Sequence, residues 1–302
     1  MAQTPPVAPA LRVDAAMRTH VGLIRSVNED FVCFVSPPEG EAAAPRGSLA
    51  LVADGMGGHA HGEVASALAG EVIRRVYYEL EGAVPDLLAA TFTAAHQAIL
   101  EWSEQNPECA GMGTTCTALA MHDDNAWLAH IGDSRAYLWR KATLTQLSED
   151  QTLVAQMVRE GVLTAEEAEN SPVKNVILQA LGAAIDIVPE IWSQPLTLVD
   201  GDVLILCTDG LWGMVGDAVI ADIAARLAPH DACDALIEAA LAAGGHDNVS
   251  VGVFHVVPNS KGATSRQTTR RLPSFDSMKE PDDKRSMARV LMAAPGGLPR
   301  HG

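Results

Sequence analysis

Apolar residues recur every fourth position at Val64, Leu68, Val72, Val76 and Leu80, and at steps of four and three at Leu88, Phe92, Ala95, Ile99 and Trp102. These are the one-face spacings of two amphipathic helices. Elsewhere the apolar positions form short runs rich in Val, Ile and Leu: LALVA (49–53), TCTALAM (115–121), AWLAHI (126–131), RAYLW (135–139), VLILCT (203–208) and VSVGVFHVV (249–257). Each has the length and composition of a strand. Several follow one another after only a short turn, as in HIGDSRAYLW, which predicts antiparallel hairpins, because parallel neighbours need a long crossover between them. With helices bunched after residue 62 and again around 217–243, the pattern predicts an α+β fold with helices packed on sheets.

The alternation of elements runs from His20 to Val257 without a break, so this stretch reads as one domain. Residues 1–16, Pro/Ala-rich over the first twelve, read as a disordered lead. Residues 258–302 are polar, with few large apolar side chains, and read as a disordered tail that cannot build a core. That tail carries nine Lys/Arg against four Asp/Glu, a charge of +5, so a chain of −17 leaves −22 on the rest. A field of that sign repels nucleic-acid phosphates and favours basic partners or bound cations. The five cysteines are scattered without a CxxC pair, which argues for reduced core residues over a disulfide framework or a thiolate zinc site. The chain shows neither a membrane-length apolar run nor a basic-then-apolar leader. The expectation is a cytoplasmic monomer with no membrane or nucleic-acid partner.

The stretch LALVADGMGGHAHGEVAS (49–66) poses the chemical question. Its turn could be a nucleotide loop, a histidine metal site, or a place where Asp54 is the working group. Acids also end or begin other strands: Asp209-Gly210 after VLILCT, Gly132-Asp133 after AWLAHI, Asp247-Asn248 before VSVGVF, and Glu29-Asp30 before FVCFV. A single Asp-Gly after a strand is most often a turn. Five acidic positions brought to one rim would instead need a cation, because clustered unpaired carboxylates are costly. Oxygen ligands favour Mg²⁺ or Mn²⁺ over zinc, and two such ions would activate a water and clamp a phosphoryl oxygen. Arg25, four residues before Glu29, offers a planar fork to a phosphate. His59 and His61 sit in the turn, where a histidine can donate a proton or simply cap a helix.

Taken in order, RSVNED (25–30), VADGMGGHAHGEVAS (52–66), GMGTTCTAL (111–119), HIGDSRAYL (130–138), LTQLSEDQTLV (144–154), NVILQALG (175–182), LILCTDGLW (204–212) and GGHDNVSV (244–251) closely resemble the metal-dependent protein serine/threonine phosphatases of the 2C type, in their compact bacterial form, over residues 17–257. The resemblance implies two antiparallel sheets packed as a sandwich, flanked by helices on both outer faces, with a two-metal centre at one end. It implies that Asp54 bridges two Mn²⁺ or Mg²⁺ ions, that the Gly55 carbonyl binds one, that Asp209 and Asp247 complete the other, and that Glu29 and Asp30 hold metal-bound waters. Asp133, with Asp209, would form a third, weaker site, and Arg25 would bind phosphate. The implied reaction is hydrolysis of phosphoserine and phosphothreonine on proteins by a metal-bridging water, with Arg25, Asp54 and Asp209 catalytic, reversing a cognate bacterial Ser/Thr kinase.

Three departures stand out. Gln151 and Gln179 replace a frequent histidine and arginine, which predicts altered substrate contacts near a mobile flap at about 155–190. Met56 stands where some members carry a proton-donating histidine, which leaves His59 as a candidate donor. Two other classes remain to be weighed: a non-catalytic phosphoprotein-binding module of the same fold, and a two-metal nuclease, which the acidic field disfavours. In the tail, RQTTRRLPSFD places Thr268, Thr269 and Ser274 beside arginines, a candidate set of phosphosites set against a plain linker.

Overall fold

One edge of the molecule is a strand where the composition pointed to a lead. In the computed structural model, which describes residues 10–38, 41, 44–57, 61–183 and 186–259, β1 runs Leu11–His20 and pairs antiparallel with the last strand, from Leu11 opposite Pro258 to His20 opposite Val249. The domain boundary placed at residue 17 therefore falls inside a strand. Leu11, Val13, Ala15 and Met17 pack inward between the sheets, a period of two that the surrounding prolines and alanines obscured.

The other strands are β2 (Asp30–Val35), β3 (Ser48–Met56), β4 (Gly113–Thr114), β5 (Cys116–His122), β6 (Asn125–Ile131), β7 (Arg135–Arg140), β8 (Thr143–Gln146), β9 (Glu190–Ile191), β10 (Leu196–Thr197), β11 (Val203–Cys207) and β12 (Val249–Pro258). They form a five-stranded sheet in the order β1-β12-β11-β7-β8 and a seven-stranded sheet in the order β10-β6-β5-β3-β2, with β4 on β3 and β9 on β6. Every strand pairing is antiparallel. The helices are α1 (Gly62–Glu79), α2 (Val84–Gln105), α3 (Leu153–Arg159), α4 (Ala165–Glu169), α5 (Asp209–Trp212), α6 (Asp217–Arg226) and α7 (Pro229–Ala242).

Burial explains why LALVA and VLILC are continuous apolar runs. In β3, Ala50 and Val52 face the other sheet, while Leu49, Leu51 and Ala53 face the helices α1 and α2. In β11, Leu204 and Leu206 point into the sandwich, and Val203, Ile205 and Cys207 point to α6 and α7. Strands covered on both faces leave no polar position to alternate with. The result is four layers, helix, sheet, sheet, helix, as the resemblance implied. All five cysteines are buried and none forms a disulfide. Among the described residues, no helix is long and apolar enough to cross a membrane.

The expected hairpin at HIGDSRAYLW is not one. β6 belongs to the seven-stranded sheet and β7 to the five-stranded sheet, so Gly132-Asp133-Ser134 carries the chain from one sheet to the other. Gly132 has φ +103°, and a Cβ there would lie 2.5 Å from the Thr115 side chain, so only glycine fits the crossover. True tight hairpins occur at β5–β6, where Asp123 has φ 51°, and at β7–β8, where Lys141 and Ala142 have φ 50° and 62°.

A chain beginning at residue 17 loses the pairs from Leu11↔Pro258 to Ala16↔Val253 together with the inward side chains of Leu11, Val13 and Ala15. We expect a loss of about 3 kcal/mol, from the apolar area returned to water. The thermal midpoint should drop by roughly 6–12 °C at this domain size relative to a chain beginning at residue 10. An unchanged midpoint would return these residues to the lead.

Candidate active site

The antiparallel register of β2 and β3 sets Asp30 directly opposite Asp54. Like charges so placed repel, and the scaffold holds each by a different device. Asp30 Oδ2 accepts from Thr208 Oγ1 (2.9 Å) and Ser250 Oγ (2.6 Å), so this acid of one sheet is tied to two hydroxyls of the other. Asp54 is fixed through its backbone: its N–H donates to Thr115 Oγ1 (3.1 Å), and its carbonyl accepts from Thr115 N–H (2.9 Å) and Thr114 Oγ1 (2.8 Å). Thr115 Oγ1 in turn lies 2.7 Å from Ser134 Oγ, beside the Asp133 crossover. Asp209 opens the short helix α5 at the end of β11.

Asp247 precedes β12. Its Oδ1 accepts the Asn248 N–H (2.8 Å) and its Oδ2 accepts Arg25 Nη2 (2.8 Å). Glu29 is drawn toward α1, where the Gly62 N–H donates to its carboxylate at the positive end of the helix. Gly55 and Gly62 pass backbone to backbone: a Cβ on Gly55 would lie 2.1 Å from the Gly62 carbonyl oxygen, and one on Gly62 would lie 2.8 Å from Glu29 Oε1. Two of the turn's glycines are thus explained by close approach.

Burial is the first cause of every carboxylate shift at this rim. It pushes Asp30 up to about 7, against the hydroxyls of Ser250 and Thr208 and with help from Asp209 and Asp247. It pushes Asp133 up to about 7 with help from Asp209 and Asp150, and Asp54 well above the carboxylate range with help from Asp30, Asp209 and Asp133. Asp209 rises for the same reason, with Asp247 adding to it. Glu29 rises by burial and by repulsion from Glu63, opposed by Arg25. Arg25 is raised chiefly by its hydrogen bond to Asp247. Asp30, Asp54, Asp133, Asp209 and Asp247 thus lie near enough to repel one another. Asp30 Oδ1 and Asp209 Oδ1 are shut off from solvent without a hydrogen-bond partner.

The remaining expectations fare unevenly. His61 is the N-cap residue of α1, in left-handed conformation at φ 48° and without a side-chain cap bond; its Nδ1 lies 3.3 Å from Glu63 Oε1. His59, Thr268, Thr269 and Ser274 lie outside the described residues. Gln151 Oε1 accepts the Gly132 N–H (3.0 Å) and its own N–H donates to the Gly132 carbonyl (2.8 Å), and Gln179 Oε1 accepts the Val188 N–H (2.9 Å). Each side chain thus spends its carbonyl oxygen on a backbone N–H. The flap segment holds α3 and α4, and Leu153 N–H to Val176 O and Leu178 N–H to Gln151 O tie it to itself and to the crossover.

Residues the sequence reading passed over hold the site in place. Asn248, almost wholly buried, donates to the carbonyls of Val21 and Val27 (2.9 Å each) and accepts the Glu29 N–H (2.7 Å), so one amide frames the whole Arg25 loop. Thr208, Ser250, Thr114 and Thr115 are small polar residues in or beside apolar strands, and that placement was the available signal. Trp212 Nε1 donates to the Asp133 carbonyl (3.0 Å) while its ring stacks under the Arg135 guanidinium (3.6 Å), which pairs with Asp150 (2.6 Å).

The protein phosphatase 2C family model matches residues 40–243. The serine/threonine protein phosphatase PstP of Mycobacterium tuberculosis is 39% identical over 252 residues, which are 82% of this chain and 46% of that protein. This chain thus spans about half the length of the curated relative it matches. Its fold is similar to the catalytic domain of PstP solved in complex with two manganese ions, at 37% identity and a TM-score of 0.70, covering 82% of this chain and 99% of that one. It is also similar to the S. agalactiae serine/threonine phosphatase, at 31% identity and a TM-score of 0.73, covering 81% and 99%. By sequence and by fold, the chain belongs to the protein phosphatase 2C family.

Proposed function

We propose that the acid rim holds two Mn²⁺ or Mg²⁺ ions, and a weaker third at Asp133 and Asp209, and that the protein hydrolyses phosphoserine and phosphothreonine esters on other proteins, opposing a cognate serine/threonine kinase. The observation that carries this reading is the crowding of Asp30, Asp54 and Asp209 with two enclosed carboxylate oxygens left without a partner. Unpaired acids in such a place cost several kcal/mol each unless a cation compensates them, and oxygen-only donors suit Mn²⁺ and Mg²⁺. Among the described residues no three His, Cys, Asp or Glu side chains are already disposed to hold a metal ion. When bound, the two ions supply phosphoryl charge neutralisation and a water of lowered pKa.

The chain's own part is orientation. Asp247 holds Nη2 of Arg25, leaving the other guanidinium donors for two phosphate oxygens, and half of the Arg25 side chain stays exposed. The geometry is set before a substrate arrives, which lowers the entropic part of the barrier. Asp54, with the Gly55 carbonyl, and Asp209 and Asp247 would hold the two ions, with Glu29 and Asp30 supporting them through water. Buried cysteines outside any disulfide fit a reducing compartment, and we place the protein in the cytoplasm as a monomer.

Phosphate release from a phosphothreonine peptide in the presence of Mn²⁺ tests the reading. Asp209→Asn should lower kcat by about 10²-fold or more, as expected for losing several kcal/mol of metal stabilisation. Arg25→Ala should lower kcat/KM about 10- to 100-fold through a raised KM, the worth of a charged hydrogen bond, with Arg25→Lys between the two. Peptide binding without any phosphate release by the wild type would establish the non-catalytic module instead.

A second measurement needs no turnover. Asp30 and Asp133 titrate near 7 in the folded chain against about 4 unfolded, so between those values the folded state holds more protons and stability falls as pH rises. With a chelator present, the thermal midpoint should be lower at pH 8 than at pH 5.5. Mn²⁺ should raise it by several degrees at pH 8 and far less at pH 5.5, where protons compete for the same oxygens. A midpoint indifferent to Mn²⁺ at pH 8 would count against the site.

A further inference from the structure

Around Arg25 the chain exposes apolar side chains that the core does not use. Leu23, Ile24 and Val27 are 62%, 68% and 51% exposed, all on the loop that carries the arginine. The loop is not slack. The Asn248 amide holds both its ends, the Leu23 N–H donates to the Gly245 carbonyl (2.8 Å), and the Gly22 N–H donates to His20 Nδ1 (2.9 Å). Arg25 is itself fixed on Asp247. Apolar area held in water costs about 25 cal/mol per Å², and a fixed apolar patch beside a polar site marks a contact surface.

Its place identifies the partner. Ile24 directly precedes Arg25 and Val27 follows two residues after it, so the loop presents exposed apolar positions on both sides of the arginine in the chain. The field around the rim is acidic, from Glu29, Glu63 and Asp247 nearby and from the −22 carried outside the tail. We infer that residues 23–27 form the docking rim for the residues flanking the phosphate. The substrates are phosphorylated segments of other proteins with an aliphatic residue next to phosphothreonine or phosphoserine and basic residues farther out. This rests on the phosphatase reading above and adds to it the class of sequence recognised.

Two phosphothreonine peptides with the same basic residues, differing only in the two flanking positions, Leu in one and Ser in the other, test it in two ways. Wild-type kcat/KM, and binding to Asp209→Asn with Mn²⁺ followed by fluorescence anisotropy, should both favour the Leu peptide about 10-fold, the scale of burying one aliphatic side chain. In an Ile24→Ser, Val27→Ser variant that retains the wild-type thermal midpoint, the ratio should fall below about 2-fold. Equal handling of the two peptides by the wild type, or a ratio preserved in the variant, overturns the inference. A Leu preference in binding with no phosphate release supports the rim and removes the phosphatase reading. If the double variant changes only the sedimentation of the protein, the rim is a contact between copies. If removal of residues 260–302 raises kcat/KM for both peptides alike, the chain's own tail covers it. Either result overturns the assignment to a separate substrate.

Discussion

Asp30 and Asp54 face each other across two hydrogen-bonded strands, with Asp209 and Asp133 close by, where little water reaches them. In that setting each negative charge raises the cost of the next, and the carboxyls respond by keeping protons that exposed acids would lose. The tension between keeping acids enclosed and keeping them charged organises the end of the molecule. Hydroxyls of Thr208 and Ser250 satisfy one oxygen of Asp30 and leave the other without a hydrogen-bond partner. Thr114 and Thr115 hold Asp54 by its backbone, so its carboxylate is not spent on support.

The same hydrogen bonds join the sheets. Asp30 belongs to the seven-stranded sheet, while its partners close β11 and sit in β12 of the five-stranded one. The Gly132–Ser134 crossover does the same covalently, and Gln151 clasps it through both backbone groups of Gly132. Asp133 is held from the side by Trp212, whose ring carries Arg135, which in turn grips Asp150 at the entrance to the flap segment. A continuous set of contacts thus runs from the Asp133 crossover to Asp150, just ahead of α3.

The loop from Val21 to Glu29 shows how little is needed to present a cationic side chain well. One buried amide, Asn248, satisfies three backbone groups of the loop and follows directly after Asp247, the acid that orients Arg25. Buried amides of this kind must find partners for all their polar atoms, which makes Asn248 a rigid staple. Rigidity also explains how the apolar side chains beside Arg25 stay exposed without folding back onto the core.

Much of this was legible in the residue order. Periodicities of four and three residues marked α1 and α2, apolar runs marked the central strands, and acids at strand ends marked the rim, because these signals lie within a few consecutive residues. Chain-distant partners were not legible. That Gly132-Asp133-Ser134 leaves one sheet for another, that LRVDAAMRTH pairs with the last strand, and that Asn248 holds a loop more than two hundred residues away depend on which surfaces bury each other. Local pattern determined which segments are strands and helices and which side chains carry charge. Only tertiary packing decided which acids share one enclosed space, since burial and mutual repulsion are properties of the assembled sheets and not of any single stretch of chain.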